Sequence, residues 1–183
     1  EQLTTQYTER AVSFIERNKA RPFFLYVPHS MVHVPLYVSD KFRGKSKAGL
    51  FGDVMMEVDW SVGQILGALR KHKLDKNTLV IFTADNGCSP AAKIPELVAK
   101  GHKPNAHWRG HKADIFEGGH RTPFLVRWPG KVKAGSTSSE TICTTDLYAT
   151  LADILGQRNA IPARAGEDSF SFLTTLRGEA NRK

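Results

Sequence analysis

Thr83-Ala84-Asp85-Asn86-Gly87 follows the apolar run Leu79-Val80-Ile81-Phe82 and places a carboxylate, an amide oxygen and a glycine where a buried strand should end. Asp85 and Asn86 offer neighbouring oxygens to a hard cation, Ca²⁺ or Mg²⁺, and the carboxyl ends of strands in α/β sheets are where ligands collect. An amide beside a carboxylate keeps such a site less negative than two carboxylates would. Two ligands do not complete it, because calcium takes about six to eight oxygens. The same residues also make an ordinary tight turn, since Asp, Asn and Gly all tolerate its backbone geometry.

Two other stretches carry chemistry. In Pro28-His29-Ser30-Met31-Val32-His33-Val34-Pro35, two histidines come directly after the apolar run Phe23-Phe24-Leu25-Tyr26-Val27. An imidazole there can give a proton to a departing oxygen or hydrogen-bond an anion, and it can equally well satisfy loop carbonyls. Lys112 is a compact charge suited to an anionic oxygen, although most lysines are merely solvated. It leads into Glu117-Gly118-Gly119-His120-Arg121-Thr122-Pro123, where the double glycine lets backbone approach closely and Arg121 can pair with Glu117 as readily as with a substrate. Between these, His102, His107, Trp108 and Arg109 are expected to line a substrate pocket. A zinc module of His102, His107, His111 and His120 fits the spacing, but Pro104 and Gly110 disturb a rigid helical presentation and no cysteine joins it.

The elements that must hold these groups alternate. Tyr7, Ala11, Val12, Phe14 and Ile15 predict an amphipathic helix over residues 5–17, ended by Pro22. Residues 23–27 read as a strand buried on both faces. Val54, Val58, Val62, Ile65, Leu66 and Leu69 predict a helix over 52–72, with Asp53 and Glu57 early and Arg70, Lys71 and His72 late, as the helix dipole prefers. Strands are expected at 78–83 and 123–128, and a long surface excursion at 89–110 with a short helix at 96–100. A helix over 146–155 is expected to be capped by Thr145 and closed by Gly156, and Asp168 to cap a last short helix through Leu176. This order predicts an α/β fold with a mainly parallel sheet sandwiched by helices.

Composition narrows the partners. A chain of 183 residues, 40% hydrophobic, suffices for one domain with a real core. The net charge of +8 is spread along the chain without interleaved aromatics, which favours a small anionic substrate over nucleic acid. No apolar run approaches the ~20 residues of a membrane span, so no membrane partner is expected, and the first residues lack the pattern of a signal peptide. Two cysteines make no disulfide framework and leave the compartment open.

A strand ending in a histidine-proline loop, a strand ending in Asp-Asn-Gly, and a lysine followed by Glu-Gly-Gly-x-Arg-x-Pro occur here in the order found in sulfatases. With Phe51-Gly52-Asp53 to Asp59, Arg127-Trp128-Pro129-Gly130 and Thr145-Asp146-Leu147-Tyr148-Ala149-Thr150-Leu151, the chain from about Arg21 to Leu176 resembles the arylsulfatase branch of that family, within the alkaline phosphatase superfamily. The resemblance implies that Asp85 and Asn86 ligate a divalent cation, usually Ca²⁺ (or Mg²⁺), that Lys112 binds the sulfate group, and that His33 contacts sulfate and helps the leaving group depart. His29 is the weaker candidate.

It further implies sulfate-ester hydrolysis, of aryl or carbohydrate sulfates, by a formylglycine made from Cys or Ser in a Cys/Ser-x-Pro-x-Arg signature. Cys88-Ser89-Pro90-Ala91-Ala92 imitates that signature, but Ala92 stands where Arg is required. Residues 1–183 are therefore expected to be one partial catalytic domain, with the nucleophile-bearing N-terminal half as its missing partner and the small C-terminal subdomain lacking too. On this reading the isolated chain is inactive, and its parent is periplasmic or secreted. The alternatives are a phosphate or phosphonate ester hydrolase of the same superfamily, often with His where Asn86 stands, and a non-catalytic fragment.

Overall fold

The computed structural model describes residues 1–179, and their contacts form two compact units that divide after Leu125. In the first unit, α1 (Leu3–Asn18) packs against α2 (Leu50–Lys71). Both follow from apolar residues recurring every three or four positions. Ile15 of α1 meets Ala68 and Leu69 of α2 in one apolar cluster, which Val12, Phe23, Leu25, Ile65, Leu66, Leu74 and Val80 extend. A second cluster joins Val54 of α2 to Val38 and Phe42, with Met31, Val32, Leu36 and Trp60 packed on it. The loop carrying the histidines is thus pinned to α2 by its own apolar side chains.

Residues 23–27 depart from expectation. Phe23 and Leu25 turn inward onto the first cluster, but Phe24 and Tyr26 are 73% and 75% exposed, so only one face is covered. The segment is not a paired strand, because no described residue hydrogen-bonds its backbone in a ladder. A continuous apolar run has the same appearance in either setting. β1 (Val80–Thr83) and β2 (Phe124–Arg127) do pair, as a two-stranded sheet. Between them lie α3 (Ile94–Ala99), preceded by a 3₁₀ turn at Pro90–Ala92, and the single helical turn α4 (Glu117–His120) formed by the double-glycine motif.

The second unit is organised by the start of α5 (Asp146–Ile154). Thr145 does not cap it: its backbone is already helical and its side chain makes no capping bond. The buried Asp146 carboxylate instead accepts from Cys143 N at 2.7 Å and Phe170 N at 2.8 Å, fastening a later loop to the helix start. Ser169 Oγ donates to Thr145 O, and Thr150 Oγ1 accepts from Phe172 N. A hydrogen bond with the Thr145 side chain holds the exposed Cys143 thiol below its ordinary pKa. Asp168 is exposed and does not cap α6 (Leu173–Arg177), whose preceding residue is Phe172; Gly178 ends the helix in the left-handed conformation.

Candidate functional site

Every candidate side chain belongs to the first unit. After β1, Asp85 stands exposed, and among the described residues its carboxylate has no hydrogen bond or ion pair. Asn86 Nδ2 donates to Gly87 O at 3.0 Å, which leaves its Oδ1 available. This loop is knitted to the lysine loop through backbone: Lys112 N donates to Cys88 O at 3.0 Å and Gly87 N to Gly119 O at 2.9 Å. The approach is so close that a Cβ on Gly87 would collide with the carbonyl oxygen of Gly118, and one on Gly118 with that of Gly110. Gly87 is thus required where the two loops touch, and Gly118 where the lysine loop folds back on Arg109 and Gly110.

Asn105 completes the knot. Its Oδ1 accepts from Cys88 N at 2.8 Å and its Nδ2 donates to Gly110 O at 3.0 Å, while Gly118 N donates to Arg109 O at 2.7 Å. Sequence reasoning passed over Asn105, because an asparagine in an aperiodic stretch carries no sign of the distant amide it will meet. Lys112 is half-buried, and among the described residues its ammonium has no carboxylate partner.

His33 and His29 face different ways. His33 is exposed, its N–H closes a turn onto Ser30 O, and its Nδ1 lies 2.6 Å from Val34 O. A carbonyl only accepts, so Nδ1 carries the proton and Nε2 is the free nitrogen. His29 points toward the helices, with Nε2 3.3 Å from Ser61 Oγ and its ring edge-on to Tyr7; burial pushes its pKa down. No hydrogen bond or ion pair among those described joins the His33 loop to Asp85, Asn86 or Lys112.

The remaining candidates scatter. His102 packs on Phe51 of α2 at 5.5 Å between ring centres, His107 on Trp108 at 4.1 Å, and the Arg109 guanidinium lies 3.7 Å above the Phe116 ring. Arg121 takes the internal role left open by the sequence: it meets Glu117 at 2.6 Å, which lowers that carboxyl's pKa, and it covers Trp108. The zinc alternative fails. His111 turns to Lys112 O and Asp114, His120 to Ile115 O, and no three His, Cys, Asp or Glu side chains among the described residues gather as a metal site. Cys88 is half-buried, and burial pushes its thiol pKa up, away from nucleophilic form.

A family model described as Sulfatase matches residues 1–157. The chain belongs to the sulfatase family. It is 39% identical over 175 residues to N-acetylgalactosamine-6-O-sulfatase of Bacteroides thetaiotaomicron, covering 94% of this chain and 34% of that protein. It is 37% identical over 183 residues to human steryl-sulfatase, covering 98% of this chain and 30% of that one. Among solved structures, the PsFucS1 sulfatase from Pseudoalteromonas sp. superposes with a TM-score of 0.87 at 28% identity, covering 100% of this chain and 36% of that one. The fold is thus the α/β fold of the alkaline phosphatase and sulfatase group, and the chain spans about a third of the length of the curated relatives it matches.

Proposed function

We propose that these residues form the cation- and sulfate-binding part of a site that hydrolyses sulfate esters. The observation that carries this reading is the hydrogen bond from Lys112 N to Cys88 O, which ties the lysine loop to the Asp85-Asn86 turn. The donor set suits Ca²⁺ or Mg²⁺: Asp85 offers an unengaged carboxylate, and the bond from Asn86 Nδ2 to Gly87 O orients the amide with its oxygen free. A cation held there would withdraw charge from the sulfuryl oxygens, and a formylglycine outside these residues would supply the nucleophilic oxygen. Lys112 binds a sulfuryl oxygen as a point charge. His33 presents Nε2, the nitrogen that can carry a proton to the leaving alkoxide while Nδ1–H stays on Val34 O.

The substrate is a small anionic sulfate ester of a carbohydrate or aryl alcohol. The name of the bacterial relative favours the carbohydrate, and that of human steryl-sulfatase points to a different alcohol for that protein. None of the 183 residues lies in a Cys/Ser-x-Pro-x-Arg sequence, so the chain by itself is a partial catalytic domain without turnover.

Sulfate release is to be compared with phosphate release from matched esters, using this chain joined to the nucleophile-bearing part of a sulfatase domain. Sulfate esters are hydrolysed preferentially, and Lys112→Ala and His33→Asn lower turnover; for His33→Asn the loss grows as the leaving alcohol becomes less acidic. Preference for phosphate, or a His33→Asn loss equal for all leaving groups, overturns the assignment.

A further inference from the structure

We infer that a buried polar stripe on α2, made by Asp53, Glu57 and Ser61, is the device that aims His33. The three residues are spaced by four and so lie on one helical face, one turn above another. They are 3%, 1% and 0% exposed. Each takes hold of the segment that contains His33. Ser61 Oγ lies 3.3 Å from His29 Nε2. Glu57 Oε2 accepts from Ser39 N at 3.1 Å and its Oε1 from Thr5 Oγ1 at 3.3 Å. Asp53 accepts from Gly44 N at 2.8 Å and Ser46 N at 2.6 Å. His33 sits in the span between the Ser61 and Glu57 attachments, while Met31, Val32 and Leu36 hold the same span against apolar partners.

The polarity of the stripe can be read atom by atom. Thr8 Oγ1 is 2.7 Å from Thr4 O and 2.6 Å from Ser61 Oγ. A carbonyl only accepts, so Thr8 spends its one proton on Thr4 O, Ser61 donates to Thr8, and Ser61 must accept from His29 Nε2–H. That fixes the His29 tautomer and leaves Nδ1 as a bare acceptor. Nδ1 and the neighbouring Ser30 hydroxyl are both buried without a partner among the described residues. A loop at liberty to move would turn both to water. Restraint from α2 holds them in, and the same restraint sets where His33 stands. Asp53, Glu57, Ser61 and His29 are positioning residues, since each acts on His33 only through the loop.

The inference rests on the proposed role of His33, and its test separates the two. In the ¹⁵N-labelled chain, His29 is the Nε2–H tautomer and the His33 ring is ordered on the nanosecond timescale. Ser61→Ala and Glu57→Ala leave the helical circular dichroism of α1 and α2 intact but lower the His33 order parameter, and Glu57→Gln, which keeps one acceptor oxygen, restores part of it. If Glu57→Ala fails to fold, Ser61→Ala, which removes only an oxygen, decides the matter. In the catalytically complete protein, Ser61→Ala lowers kcat about tenfold with KM unchanged, as expected when a group is misplaced and binding is not. An unchanged His33 order parameter in Ser61→Ala, with the His29 tautomer lost, overturns the inference. A His33→Asn variant with full turnover instead refutes the role of His33, and the order parameters still judge the stripe.

Discussion

Replacing Asn105 with alanine removes both bonds by which one side chain ties the Asp85-Asn86 loop to the lysine loop, to Cys88 N at 2.8 Å and to Gly110 O at 3.0 Å. Each is worth roughly 1 kcal/mol net, and because Asn105 and its partners are only half-buried, the freed groups recover some water and escape the full penalty of an unmet buried group. The expected loss is about 2 kcal/mol of unfolding free energy, read as a fall in the urea midpoint at constant slope. If the knot also holds the cation ligands in place, the same 2 kcal/mol weakens Ca²⁺ binding by up to about 30-fold in calorimetry of this chain joined to the nucleophile-bearing part of a sulfatase domain. Asn105→Asp keeps the acceptor for Cys88 N, sets a carboxylate against Gly110 O, and should fall between wild type and alanine or lower. A stability change below about 0.5 kcal/mol for Asn105→Ala would refute the reasoning, since that is the range of an ordinary surface substitution.

Other perturbations read the remaining parts of the site. Gly87→Ala and Gly118→Ala force backbone apart from a carbonyl oxygen and should each cost about 1–3 kcal/mol in denaturant unfolding, as overpacking does. Asp85→Ala removes a side chain with no partner among the described residues, so stability stays within about 0.5 kcal/mol while Ca²⁺ affinity collapses; a matching stability loss would show that the carboxylate is structural. His29 has a folded pKa pushed below its ordinary 6.5 by burial. Below 6.5 the unfolded chain takes up a proton that the folded chain still refuses, so the His29 contribution is complete above that pH and declines as pH falls toward the folded value. Urea melts at pH 7.5 and 5.5 should show a steeper drop for wild type than for His29→Gln, and equal slopes would place His29 in water.

Helices α1 and α2 were legible because burial writes itself into spacing: their apolar positions recur at the helical period and were placed to within a few residues, whereas α5 was placed from the residues that flank it. The two paired strands were legible by their apolar runs between turn residues. Residues 23–27 were not, because pairing depends on a neighbouring backbone that a run of aromatic residues does not reveal. At the site, the order of motifs pointed to Asp85, Asn86 and Lys112, and the structure supplies the contact between their loops. Asp53 and Glu57 were read only as acidic residues early in a helix, where the helix dipole favours them. Their burial came from loop amides far along the chain, and composition says nothing of such amides. Thr145 looked like a cap by residue type, whereas the helix start is organised one residue later by Asp146, through a partner 24 residues away.

The two cysteines differ in a way that offers a handle. Cys143 is exposed and its thiol ionises more readily than usual, while Cys88 is half-buried and ionises less readily. Alkylation proceeds through the thiolate. One equivalent of a maleimide dye near neutral pH should thus mark the segment before α5 and spare the loop beside Asp85 and Asn86. A fluorophore attached there would report on the second unit while cation titrations proceed in the first, with no cysteine removed by mutation.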